Sequence, residues 1–363
     1  MADPIEVFFA ANRNLQGGRS PSFGKKFHKD GAELYRVGKA KVERTDEGEY
    51  RLASIDVAQE RAARSGDDAD SKLGSSAVFR EIKTQMQEEG RDLIVLIHGY
   101  ASDFATAPER AAEIADKYVV RGKDGVLRHP VVLAFSWPAN GRTVPFASYI
   151  SDRHDAAKSG RAVGRLFMRL CGFLLDEAKA ERTATTGEAR RTHAACPNRI
   201  HLIAHSMGNW TLRNALQAII EMRGADRLPA VFDNIFLMAA DEDEDSLQDD
   251  TKMALLPRLG NAVHVYHSKD DRALVISDTT KLNPDRLGSN GPIDMDLIDA
   301  KIVCVDCRHV DETDFLHANH QYYRLREEVI GDVRQVLAGL EAGEVQGRKR
   351  LEHRNRYMIA PPI

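Results

Sequence analysis

Cysteine is scarce in this chain, charge of neither sign dominates, and no hydrophobic run is long. Four cysteines among 363 residues cannot build the disulfide framework of a small secreted scaffold. They suit a reducing compartment, so a cytoplasmic location is expected. The 51 basic and 55 acidic residues leave a net charge of -4, which argues against nucleic acid or an anionic membrane as a partner held by bulk charge. The longest apolar runs, such as Val131–Phe135 and Ile235–Ala240, are strand-sized and far short of the ~18 residues a spanning helix needs, so no integral membrane association is expected. Asp3 and Glu6 stand where an export signal would be basic and then apolar, so none is expected. What is present is ample apolar material, 42% of residues, enough for a sizeable core.

That material recurs in short β-branched runs: Ile5–Phe9, Leu93–Ile97, Val131–Phe135, Ile200–Ala204, Val231–Met238, Val263–Tyr266 and Lys301–Val305. From Leu93 onward they are almost continuously apolar, as parallel strands covered on both faces are. Helical spacing separates them, through Val163, Leu166, Phe167, Leu170 and Leu174, and again through Val329, Ile330, Val333, Val336, Leu337 and Leu340. Strand and helix in alternation predict an α/β fold with a mostly parallel sheet. Leu34–Glu43 and Tyr50–Val57, joined by Asp46-Glu47-Gly48, predict an antiparallel edge at the amino end. The polar stretches Gln59–Ser76, Ala180–Asn198 and Leu282–Asp299 read as loops, the last long enough to border a site. One domain over 1–345 is expected, with 346–363 a solvated basic tail.

The sharpest chemical signal is Ala204-His205-Ser206-Met207-Gly208, between a predicted strand and the predicted helix Met207–Met222. A serine on so tight a strand-to-helix turn needs small neighbours two residues away on each side. It then sits at a helix N-terminus, where backbone N–H groups stabilise negative charge. A second apolar strand ends in His98-Gly99-Tyr100. The N–H groups of Met207 and Tyr100 are the expected oxyanion hole.

A serine nucleophile needs a base and an orienting acid, which this fold delivers in the order Ser, acid, His. His309, His317 and His320 all follow the last predicted strand. His320 directly precedes the final helical segment, where a short loop can aim it back, and His317 is the runner-up. Asp270, Asp271 and Asp241 all leave strands near the same sheet edge, and spacing does not separate them. The helix start at Arg272-Ala273-Leu274 suggests that one of the adjacent aspartates caps it while the other faces the histidine.

The chain resembles a bacterial α/β-hydrolase family of the esterase/lipase superfamily, the domain of unknown function numbered nine hundred. The resemblance lies in Val7–Arg13, Ile97–Tyr100, Phe135–Pro138, Tyr149 with Asp152, Ala204–Gly208, Ser268–Leu274 and His320–Tyr323. It implies an α/β-hydrolase fold, Asp271 as the acid and His320 as the base, and it supplies no substrate.

Two other clusters dissolve. Cys304 and Cys307 form a lone C-x-x-C at a predicted buried strand, where core cysteines are ordinary, so neither metal nor cofactor is expected. Asp241–Asp245 starts like a calcium loop, but Ser246 and Lys252 occupy the positions that require glycine and glutamate. The expected function is a serine hydrolase acting on a small-molecule acyl substrate, an ester before a thioester or amide. The alternative is a non-catalytic α/β-hydrolase scaffold that binds a ligand or protein.

Overall fold

In the computed structural model the described residues are 3–17, 21–59, 74–122, 124–141, 147–184, 199–274, 286–310 and 319–360. His317 and most of two predicted loops, at 60–73 and 185–198, lie outside them, as do 275–285 and the side chain of Leu174. The first strands are β1 (Ile5–Ala11), β2 (Arg13–Gln16), β3 (Ser22–Phe27), β4 (Arg36–Arg44) and β5 (Tyr50–Val57). There follow α1 (Gly74–Glu89), β6 (Leu93–Ile97), α2 (Thr106–Lys117), β7 (Val120–Arg121), β8 (Leu127–Arg128), β9 (Val131–Ser136) and α3 (Ala147–Ala184). Then come β10 (Ile200–His205), α4 (Gly208–Arg223), β11 (Phe232–Met238), β12 (Gly260–His267) and β13 (Ile302–Asp306). A helix at Glu327–Leu337 precedes β14 (Arg348–Arg350) and β15 (Arg356–Ile359).

Eleven strands form one sheet in the order β14-β15-β13-β12-β11-β10-β6-β9-β1-β4-β5. Neighbours from β15 to β1 are parallel, and β4 and β5 pair antiparallel at the amino-terminal edge. Side chains alternate across a strand, so a fully apolar strand feeds two cores at once. Leu93, Val95 and Ile97 of β6 join Phe79 of α1, Phe167 of α3 and Leu212 of α4. Ile94 and Leu96 join Ile114 of α2 and Val333 of the Glu327–Leu337 helix on the opposite face. The chain leaves β6 through α2 toward β9, and leaves β10 through α4 toward β11, so successive crossovers diverge from the β6–β10 pair. Such a divergence opens a crevice at the carboxyl ends of those strands. No helix among the described residues is long and apolar enough to cross a membrane.

The carboxyl-terminal stretch corrects the expectation of a solvated tail. β15 lies parallel to β13 and β14 returns antiparallel to it, closing the far edge of the sheet. Arg348 is buried with Asp332, its Nε and Nη2 donating to the two carboxylate oxygens at 2.7 Å each, and Tyr266 completes the group. A run of arginines reads as solvated until a buried carboxylate elsewhere claims one of them. Arg348→Ala leaves that carboxylate uncompensated and is expected to cost ~3–5 kcal/mol in urea unfolding. A loss below ~1 kcal/mol would mean that water reaches Asp332.

Candidate active site

The β10–α4 turn is held in a conformation that few side chains adopt. Ser206 has φ 53°, and its main chain is over-determined: its N–H donates to Met238 O at 2.9 Å. Its carbonyl accepts from Asn209 N, Asp241 N and the Asn209 side-chain amide. A left-handed non-glycine residue costs ~1–3 kcal/mol and persists only under such constraint. A Cβ at Gly208 would lie 2.5 Å from Ile97 O, so the end of β6 is what demands glycine there. Met207 occupies the N-cap position of the 16-residue α4, whose first N–H groups have no acceptor within the helix.

The end of β6 lies against this turn. A Cβ at Gly99 would meet Ser206 Cβ at 2.8 Å and His205 O at 3.1 Å, so glycine brings the loop backbone onto Ser206 itself. His98 is a fixture of that loop. Its Nε2 accepts from Trp137 N at 3.2 Å, so Nδ1 carries the proton and donates to Gly99 O at 2.9 Å. Its ring stacks on Trp137 at 5.0 Å, and burial pushes its pKa down to about 3.

Two buried charges clamp Ala101 and Ser102 of the same loop, and sequence reasoning found both only as points of family resemblance. Ala101 has φ 55°, and its N–H donates to Asp152 Oδ2 at 3.3 Å. Asp152 also accepts from the backbone and side-chain amides of Asn140. Arg13 is fully buried and donates to Ser102 O at 2.8 Å, to Ser136 Oγ at 2.9 Å and to Ala139 O. It thereby ties the exits of β1, β6 and β9 together behind Tyr100.

Across the crevice, His320 Nδ1 lies 2.7 Å from Asp271 Oδ2, with both side chains buried. Asp271 Oδ1 accepts the N–H groups of Ala273 and Leu274 at 3.1 and 3.3 Å. One aspartate therefore does the two jobs that the sequence suggested dividing between neighbours, because a carboxylate has two oxygens; Asp270 is exposed. His309 is also exposed. Asp241 stands beside the turn, but its carboxylate is engaged elsewhere, accepting from Tyr149 OH at 2.6 Å with Arg153 and Arg286 each 3.8 Å away.

Cys304 and Cys307 are buried in opposite cores, and burial pushes the Cys304 thiol up to about 12. Among the described residues no group of three or more His, Cys, Asp or Glu is placed to hold a metal ion.

Several buried imidazoles make the fold sensitive to acid. Burial pushes the pKa of His98 and His264 down to about 3, that of His267 to about 4, and that of His205 well below the usual range. Below the unfolded value of ~6.5 the unfolded chain binds these four protons and the folded chain does not, so stability is full above that pH and falls as pH drops. Two buried carboxyls, Asp152 and Glu242, are both held up to about 6, mainly by burial, and act in the opposite sense. The net is about two protons, or ~3 kcal/mol per pH unit near pH 5. Urea midpoints are expected to be level from pH 8 to 7 and to drop steeply between 6 and 4.5. A level midpoint down to 4.5 would mean that the imidazoles protonate in place.

The model of the family described as alpha/beta hydrolase of unknown function (DUF900) matches residues 75–172 and 188–339, most of the chain. The chain belongs to that family. No curated protein and no solved structure matches it. Arg13, which clamps the loop after β6, lies before the matched segments, whereas Asp152, Ser206 and Asp271 lie within them.

Proposed function

We propose that this α/β hydrolase is a serine hydrolase that cleaves an acyl bond, a carboxylic ester before a thioester or amide. The observation that carries the reading is the His320–Asp271 contact, made by residues from two separate strand exits at the sheet edge where Ser206 emerges. In this reading Ser206 Oγ attacks the carbonyl carbon as His320 Nε2 takes its proton. Asp271 accepts from Nδ1–H, which selects the tautomer with a bare Nε2 and stabilises the imidazolium. The oxyanion is met by the N–H groups of Met207 and Tyr100. The alcohol leaves with the proton from His320, and water then releases the acid by the same steps in reverse roles. An alcohol is expelled more readily than an amine, which favours the ester.

The test requires no knowledge of the natural substrate. A fluorophosphonate probe is expected to label the wild-type protein once per chain, with the tag on the peptide that contains Ser206. A protein that takes no label, or takes it at another residue, would sink the proposal.

A further inference from the structure

We propose that His205, the residue before the nucleophile, is a positioning residue that holds the main chain of His320 so that its imidazole meets Ser206; this rests on the serine-hydrolase reading. His205 Nε2 lies 2.9 Å from His320 O. A carbonyl only accepts, so Nε2 carries the proton. Nδ1 is buried without a hydrogen-bond partner, so the one polar contact this ring makes among the described residues is with the main chain of His320. The ring also packs 4.7 Å from that of His320 and 4.6 Å from that of Tyr323.

The need for a tether lies in the path of the chain around His320. It enters through Asn319, left-handed at φ 56°. It leaves into a short helical turn, Tyr322–Leu325, that is firmly held: Tyr118 OH donates to Tyr323 O at 2.5 Å and Tyr322 OH to Tyr266 O at 2.9 Å. His320 is the joint between a tight turn and that anchor. Asp271 governs the rotation of its ring and His205 governs its main chain, and together they aim Nε2. Burial keeps His205 neutral, and the charges of Arg110 on α2 and of Arg324, with the titratable ring of His320, reinforce this. The same donor is therefore present throughout the working pH range. Because His205 directly precedes Ser206 at the end of β10, nucleophile and base are referred to one rigid strand.

Two variants test this. His205→Phe keeps a ring against Tyr323 and loses the donor, whereas His205→Gln offers an amide N–H of similar reach. With a chromogenic acetate ester, His205→Phe is expected to lower kcat about 10–100-fold, by analogy with losses at other supporting contacts, with KM within about twofold of wild type. Its thermal midpoint should stay close to wild type, and labelling of Ser206 should slow in proportion to kcat. His205→Gln should restore most of the rate. A His205→Phe protein as fast as wild type, or equal losses in both variants, overturns the tether. Should either variant fail to fold, 15N spectra of the wild-type imidazoles decide: Nε2 of His205 protonated and Nδ1 bare from pH 6 to 8 is expected, and a protonated Nδ1 at pH 8 overturns it. A wild-type protein that takes no label refutes the hydrolase reading, whereas a labelled wild type with an indifferent His205→Phe refutes the tether alone.

Discussion

Ser206→Ala is expected to lower ester turnover by about six orders of magnitude and to abolish fluorophosphonate labelling, with the fold intact. The loss follows from the mechanism, since no acyl intermediate forms without the hydroxyl. The oxyanion donors and substrate binding alone leave only a residual rate above that in water. The turn should survive because the bonds that hold residue 206 are made by its main chain: to Met238, to Asp241 and to both amides of Asn209. Alanine keeps the Cβ that packs against Gly99, and it pays no more for φ 53° than serine does. The measurement is turnover of a chromogenic ester beside a thermal melt. Near-normal turnover by the purified, folded variant would eliminate Ser206 as nucleophile.

The second large effect separates the acids. Asp271→Asn is expected to lower kcat about 10⁴-fold with little change in KM. The asparagine carbonyl can still accept from Ala273 and Leu274, as Asp271 Oδ1 does, so the turn is preserved. Its NH₂ then faces His320 Nδ1, where the carboxylate oxygen stood at 2.7 Å. Two donors cannot share that contact, so the imidazole adopts the tautomer protonated at Nε2, which cannot take the serine proton. Asp241→Asn is expected to cost less than about tenfold. Its side chain can still accept from Tyr149, and its carboxylate is not the one that meets His320. Steady-state kinetics of the two variants decide between them. A crippled Asp241→Asn beside a near-normal Asp271→Asn would place the acid after β11 rather than after β12.

The elements that sequence alone determined are those whose causes are local. β6, β9 and β10 are legible because a strand buried on both faces is almost continuously apolar, and all three are buried along their whole length. The small residues around Ser206 are legible because steric crowding at a tight turn acts over two residues in either direction. The chain order of serine, aspartate and histidine narrows the candidates because parallel strands place their exits along one edge. Tertiary structure alone decided what depends on distant neighbours. Asp270 and Asp271 are adjacent and chemically identical, and only the turn after β12 sends one toward His320 and leaves the other in solvent. Arg13 and Asp152 serve the loop after β6 from 89 and 51 residues away in the chain. No periodicity reports such contacts, because a charged side chain is buried only where folding brings it a partner. Arg348 escapes sequence reading for the same reason: in a basic stretch its charge signals water, and its burial is set by Asp332 of the Glu327–Leu337 helix, whose carboxylate also accepts from the Tyr266 hydroxyl.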